Sequence, residues 1–370
     1  MFKGRLNLRA VGCKTKYNTE GFAEKSTFTV LGVSERYAHL LSNTCNLALA
    51  HNTKSQYKTA VKHIERIEKD LSIDISLPFT IAKTLNYVGY LMDERGCSSS
   101  TISQYLSGVR MLHLCRGFDA DSLRPPIVNM ILKGRTHWDN VQKTLQNKPR
   151  RLPVTIKVLK YLKQAIHERE WSTEKKLRLW CICCLMWNGS LRVHEVLSKS
   201  KDEFDPITTL TMNDVEILAP GETPEVSILR IHLKSPKERR IGNGVKLEIF
   251  ENKTFCCPVR AWNKWKKNVV LKAANPVFTE GGRCFTGQDF NKILTELTNP
   301  LTNGTDGIIR PHSFRSGVAS EMGQRGFSDS EIQAQGRWTS QAFKVYMKLE
   351  RVKRLKFTSR IADMINDKRS

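Results

Sequence analysis

The sequence changes character at QNKPRRLPVT (146–155), which carries two prolines and a basic cluster. A stretch of that kind punctuates regular structure. On its N-terminal side, from about residue 34, apolar positions follow a helical period. TKSQYKTAVKHIERIEKDL (53–71) spaces Tyr57, Val61, Ile64 and Ile67 three and four apart, which puts them on one helix face. LPFTIAKTLNYVGYLMDERG stops at Gly96, SSSTISQYLSGVRMLHLCRGF opens on serines and stops at Gly117, and Pro125 and Pro126 open PPIVNMILKGRTHWDNV. These are helix start and stop signals, and no segment before residue 150 reads as a strand.

Beyond the break, helix and strand mix. KVLKYLKQAIHERE, TEKKLRLWCICCLMWNGS (stopping near Gly189), CPVRAWNKWKKNVV, PHSFRSGVASEMGQRG, SDSEIQAQGRW and TSQAFKVYMKLERVKRLKF read as helices. Ser328 and Glu331 have capping-box spacing. SILRIHLKSPKERRIGNGVKLEIF alternates on either side of turn residues and reads as a β-hairpin. The expected fold is mainly α with a small β component. Its expected parts are a basic extension (1–33), a domain of four or five helices (34–145), a linker (146–155), an α+β domain (156–350) and a tail (351–370).

Charge narrows the function. Of 370 residues, sixty are Lys or Arg and thirty-six Asp or Glu, a net +24. The excess is +10 over residues 1–150 and +14 over the remainder. Both halves are therefore basic, which suits a polyanion gripped from two sides. No run of about 18 apolar residues would span a membrane, and no secretory signal is expected at the N-terminus. The ten cysteines form no CxxC pair and no zinc spacing. Cys181, Cys183 and Cys184 sit in the apolar run LWCICCLMW and read as small buried hydrophobes, with unpaired thiols pointing to a reducing compartment.

Six residues in four short stretches carry chemistry. In PHSFRSG, Pro311 suits a helix start, and His312 and Arg315 share a face in the first turn, where an anion is favoured. In GSLRVHEVL, Glu195 stands three residues after Arg192, in reach of its guanidinium. In HLKSPKERR, Lys234 lies near the hairpin tip, with Lys237 as a rival. In GRWTSQAFKVY, Trp338 follows a Gly-Arg stop, and Tyr346 lies eight residues on, beside Phe343 on an apolar face. Each has a plainer reading alone: a chance HxxR, a surface ion pair, a solvated lysine, a core tyrosine. Lys148, Arg150 and Arg151, in the linker, are equally suited to phosphate contact or to a solvated charge run.

Taken in order, Arg192, Lys234, His312, Arg315, Trp338 and Tyr346 resemble the signature of tyrosine recombinases, the phage-integrase-type site-specific recombinases. LALAHNTKSQYKTAV and STISQYLSGVRMLH resemble that family's helical core-binding domain, so the resemblance runs over about residues 35–350. CPVRAW, HSFRSG and GRWTS are most similar to recombinases of eukaryotic mobile elements, the Crypton and DIRS-like groups. The sequence departs from the common pattern in three places. The Trp338–Tyr346 interval is eight where nine is frequent, His194 stands where serine is common, and Trp338 replaces a histidine.

The resemblance implies a core-binding domain and a catalytic domain closing as a clamp around double-stranded DNA bearing a specific recombination site. It implies a homo-tetramer on two duplexes, with the tail docking on a neighbouring subunit or on its own domain. It implies strand cleavage and rejoining through a 3′-phosphotyrosyl link, in the service of mobile-element integration or excision. Localisation follows the host: the nucleus if eukaryotic, otherwise cytoplasm or nucleoid.

The chemistry matches the residue types. Two arginines can each give paired hydrogen bonds to the non-bridging oxygens of a phosphodiester. A tyrosine of ordinary pKa about 10 needs cations and a proton acceptor, here His312, to attack. The departing 5′-oxygen also needs a proton, a role the resemblance assigns to Lys234, and the Trp338 indole N–H can donate to the phosphate. The bond energy is kept in the phosphotyrosine, so no metal, ATP or other cofactor is expected. Two alternatives share parts of this pattern: a type IB topoisomerase-like enzyme that only relaxes DNA, and a domesticated, non-catalytic DNA-binding protein.

Overall fold

A computed structural model describes residues 25–47, 51–145, 149–202, 204–206, 209–220, 226–234, 244–303, 307–338 and 340–346. The chain divides into two compact units, with the boundary between residues 147 and 148. The fold is mainly helical, with seven short strands among the described residues, as the sequence patterns predict.

The first unit holds α1 (Lys25–Val30), α2 (Glu35–Leu47), α3 (His51–Asp70), α4 (Ile81–Met92), α5 (Ser99–Cys115) and α6 (Pro126–Leu145). Among the described residues, 34–145 hold five α-helices, within the four or five expected, and α1 is an addition in the stretch before residue 34 that reads as irregular. The other boundaries follow the sequence signals. Thr80 and Ser98 cap α4 and α5 through their hydroxyls, replacing partners the first-turn N–H groups lack. Gly96 and Gly117 take left-handed conformations just past α4 and α5, where glycine carries no Cβ penalty. The predicted face of α3 buries Val61, Ile64 and Ile67 against Leu106 and Val109 of α5 and Leu91 of α4. Gly108 lets α3 and α5 approach closely, since a Cβ there would stand 2.9 Å from the Tyr57 ring.

The second unit is built on α8 (Thr173–Asn188). Its Cys181, Cys183 and Cys184 are buried free thiols, as LWCICCLMW predicts. Against α8 pack α7 (Ile156–Glu168), α10 (Pro258–Lys267), which inserts Trp262 and Trp265, and α12 (His312–Gln324). Short α9 (Val193–Val196), α11 (Gly287–Thr302) and α13 (Asp329–Gly336) complete the helices. Helix α11 is not among the helices expected from the sequence patterns, although Thr286 and Asp289 form a capping box at its start. The Ser328–Glu331 box forms at α13 as predicted.

The hairpin also forms. Strands β3 (Ile228–Leu233) and β4 (Val245–Phe250) pair antiparallel from Ile228 opposite Phe250 to Leu233 opposite Val245. Strand β2 (Val215–Leu218), not anticipated, extends it to a sheet of order β2-β3-β4. Strands β5 (Thr279–Glu280) and β6 (Arg283–Cys284) make a minimal hairpin about Gly281 and Gly282. The hairpin tip, Lys237 and Lys148 lie outside the described residues.

Two local expectations change. Part of the expected linker is built into the second unit: β1 (Arg150–Arg151) pairs in parallel with β7 (Gly307–Ile308), Leu152 N–H donates to Ile308, and Val154 N–H donates to the Ser313 carbonyl. The backbone polar groups of a chain crossing a packed surface need partners, and the edge of β7 and the start of α12 supply them. The last expected helix is a 3₁₀ helix over Gln341–Tyr346 instead of an α-helix from Thr339. Residues 347–370, tail included, lie outside the described residues. Among the described residues no helix is long and apolar enough to cross a membrane.

Candidate active site

The site residues of the second unit come from three connections. The first is the turn between α8 and α9. Gly189 caps the end of α8, where a Cβ would stand 2.8 Å from the Ile249 side chain. Ser190 follows in a left-handed conformation, φ 45°, and its carbonyl accepts a hydrogen bond from Arg315 Nη1 at 2.7 Å. Arg192 then begins α9 with an extended backbone. Its Nη1 lies 3.0 Å from Glu195 Oε1, and its backbone N–H donates to Glu195 Oε2 at 2.8 Å. The i,i+3 pair thus forms, but not as an exposed one: Glu195 is 8% exposed and Arg192 25%.

The second connection is the start of α12. Pro311 precedes the helix and His312 opens it, as the motif predicts. The first turn is less open to an anion than expected, because Ser313 N–H already donates to Arg310 and Phe314 N–H to Pro311. The positive field comes mainly from side chains instead. His312 is half-buried, and its pKa is lowered by burial first, then by the guanidiniums of Arg151, Arg315 and Arg192. A cation among cations in a poorly solvated place is disfavoured, so the imidazole is held neutral and able to accept a proton. Arg150 and Arg151 are both exposed and both pair with β7 through the backbone; of the two, the Arg151 guanidinium is the one whose charge acts on His312.

Arg315 is almost wholly buried, at 1% exposed. Besides the Ser190 bond, its Nη2 donates to the Gly336 carbonyl, and the guanidinium lies 4.7 Å from the centre of the Trp338 ring. Two fixed carbonyls and an aromatic face set its plane.

The third connection runs from α13 into the 3₁₀ helix. Arg337 caps α13 in a left-handed conformation, and its Nη2 reaches Glu195 Oε2 at 2.8 Å. Trp338 lies against Gly336 and stacks obliquely on Phe343, with ring centres 5.7 Å apart. Phe343 is fully buried with Ala319 of α12 and Ile332 of α13. This small core seats the 3₁₀ helix on α12, and the backbone of Tyr346 closes that helix.

Glu195 thus joins Arg192 to Arg337, Arg315 lies on the Trp338 ring and grips the Gly336 carbonyl beside Arg337, and the charges of Arg151, Arg315 and Arg192 act on His312. Lys234 is engaged in bonds of its own. Its Nζ lies 2.7 Å from Asp214 Oδ2 and donates to the Pro206 carbonyl at 2.7 Å. Asp214 is itself buried and accepts from the Thr211 N–H and hydroxyl. The residue that sequence reasoning missed is Arg337. Its signal was the Gly-Arg pair at a helix end, where an arginine occupies a position usually left to glycine.

Solved structures of similar fold cover nearly the whole chain. The XerH site-specific recombinase bound to palindromic difH substrate matches with TM-score 0.55 and 13% identity, over 94% of this chain and 91% of that one. The same recombinase in a pre-cleavage complex gives TM-score 0.54 and 12% identity, over 92% and 90%. The Tn1549 transposon integrase in complex with circular intermediate DNA gives TM-score 0.50 and 14% identity, over 92% and 98%. At these identities the likeness is one of fold: the chain has the fold of these recombinases. No protein-family model and no curated protein matches the sequence.

Proposed function

We propose that this chain is a tyrosine recombinase that cleaves and rejoins DNA. The observation that carries the reading is a set of fixed guanidiniums, Arg192 held by the buried Glu195 and Arg315 held by the Gly336 carbonyl and the Trp338 ring, with burial and the charges of Arg151, Arg315 and Arg192 lowering the pKa of His312. Such a site attracts a phosphodiester and can take a proton beside it. The shared fold and the excess of positive charge in both halves support the same reading.

In the proposed step, Arg192 and Arg315 take the non-bridging oxygens, whose negative charge grows as the phosphorus becomes five-coordinate. Fixed donors of this kind contribute on the order of 3–4 kcal/mol each. His312 accepts the proton of Tyr346, whose oxygen attacks phosphorus in line. The bond to the 5′-oxygen breaks, and Lys234 protonates it as it leaves. The phosphotyrosine retains the bond energy, so a 5′-hydroxyl from another strand can reverse the step without ATP or metal.

Trp338 fixes Arg315 through its ring face. Glu195 restrains Arg192, and Arg150, Arg151 and Lys148 would lie along the DNA backbone where the chain passes between domains. For Lys234 to act, its ammonium must exchange Asp214 and the Pro206 carbonyl for the leaving oxygen. A tetramer on two duplexes, the two domains closing as a clamp, and a role in moving a mobile element of the Crypton or DIRS-like kind, in the nucleus of a eukaryotic host, complete the proposal.

Strand exchange tests it against simple relaxation. Two linear duplexes carrying the chain's own site, one of them labelled, should yield recombinant-length products in the presence of EDTA. Relaxation of supercoiled DNA without such products would favour a topoisomerase, and abolition by EDTA would contradict the metal-free step.

A further inference from the structure

Arg337 has an unusual set of partners. One buried carboxylate, Glu195, serves two guanidiniums: Oε1 faces Arg192 and Oε2 faces Arg337 Nη2. Two positive charges on one negative leave the group cationic. A guanidinium presents its Nε–H and Nη2–H side by side on one edge, a geometry suited to two oxygens. Glu195 meets only the Nη2 half of that edge, because its other oxygen is turned to Arg192. The Nε of Arg337 is buried and has no acceptor among the described residues. A buried donor left so is costly.

The backbone adds an independent observation. Arg337 sits at φ 53°, ψ 43°, where glycine would be at ease and a side chain is strained. A position of this kind that carries arginine gains from the side chain. Its neighbour Gly336 supplies the carbonyl that Arg315 grips, so this dipeptide ties the three guanidiniums together.

We propose that Arg337 is a third phosphate-binding guanidinium of the site, its Nε–H donating to a non-bridging oxygen of the phosphodiester held by Arg192. This rests on the reading of the cluster as a phosphodiester site. It adds Arg337 as a direct phosphate contact next to Trp338, whose ring face supports Arg315.

Two measurements test it. The first is single-turnover cleavage of a nicked duplex whose scissile linkage is either a natural phosphodiester or one diastereomer of a methylphosphonate, which lacks one charged oxygen. Arg337→Gln should lose about 10- to 100-fold on the natural linkage, the scale of one charged hydrogen bond. The loss should shrink to a few-fold on the diastereomer lacking the contacted oxygen. Equal loss on all linkages would make Arg337 a structural support and overturn the proposal, as would no loss. Arg337→Gly is the second variant, since it removes the side chain while relieving the left-handed backbone, so that a folding failure of the first does not decide the outcome.

The second measurement needs no DNA site. The Arg337 Nε–H resonance, identified as the one that disappears in Arg337→Lys, should shift when inorganic phosphate is added to wild-type protein. A resonance indifferent to phosphate would overturn the proposal. If wild type forms no adduct on any DNA, the recombinase reading fails while this resonance still decides whether Arg337 binds phosphate.

Discussion

Replacing Glu195 with glutamine removes the charge that Arg192 and Arg337 share. The amide keeps the shape but offers one carbonyl where two oxygens now face two cations. Breaking a buried pair from one side typically costs about 3–5 kcal/mol, and the Glu195→Gln variant should approach the lower end because Arg192 is a quarter exposed. Its denaturation midpoint should fall, and its cleavage rate should fall further than stability alone explains, because Arg192 loses its restraint. A variant as active as wild type would mean that Glu195 does not position Arg192.

Much of this geometry was legible residue by residue. The spacing of Arg192 to Glu195 and of His312 to Arg315 carried it, because helix geometry converts intervals of three into shared faces. For Arg337 the Gly-Arg pair marks the position but not the partner, since no local pattern says that an arginine after a helix reaches a carboxylate 142 residues earlier in the chain. Nor did the sequence reveal that Asp214 holds Lys234, because that pairing depends on the unanticipated strand β2.

At the scale of elements, α12 is the member on which the site depends. It approaches the 152–154 segment so closely that a Cβ on Gly317 would stand 2.1 Å from the Val154 carbonyl oxygen. Gly317→Ala should therefore displace either the helix or the segment that carries Arg151. The expected destabilisation is about 1–3 kcal/mol or more, the range of overpacking in a core, read as a lower urea midpoint. An unchanged midpoint would show that the two elements slide apart freely.

The helical unit makes a separate prediction in pH. His63 is buried between Tyr90 and Tyr105, and burial, with Arg95 and Arg66 nearby, lowers its pKa to about 4. His113 is also lowered, chiefly by burial. Its Nε2 accepts the Phe79 N–H at 2.8 Å while Nδ1 faces the Val109 carbonyl at 2.8 Å, which defines a neutral ring. Between pH 6.5 and about 4 the unfolded chain binds protons that folded His63 refuses, so stability falls as pH falls through that window. His63 alone should account for on the order of 3 kcal/mol. His63→Phe, which keeps the ring and removes an unpaired Nδ1, should flatten the profile. An unaltered acid slope would contradict this.

Helix periods and caps made most elements readable, since both are local. The 3₁₀ helix at Gln341–Tyr346 was not, because it is set by Phe343 reaching the small core between α12 and α13, a tertiary contact with no local signature. The short strands β1 and β7 were hidden for the same reason.

For the whole molecule, charge and fold point the same way. An excess of +10 in one half and +14 in the other accompanies a fold shared with recombinases solved on DNA. The fold by itself specifies no chemistry. What ties it to DNA cleavage is the proposed attack by Tyr346 on a phosphate held by Arg192 and Arg315. The most direct measurement is to incubate the protein with a nicked duplex carrying its own site, so that the cleaved strand's end diffuses away and religation stops. Wild type should become covalently linked to the 3′ end of the DNA, by a bond at Tyr346 located by mass spectrometry and absent from Tyr346→Phe. A wild-type protein that binds this DNA without forming the adduct, or a Tyr346→Phe variant that still forms it, would contradict the account.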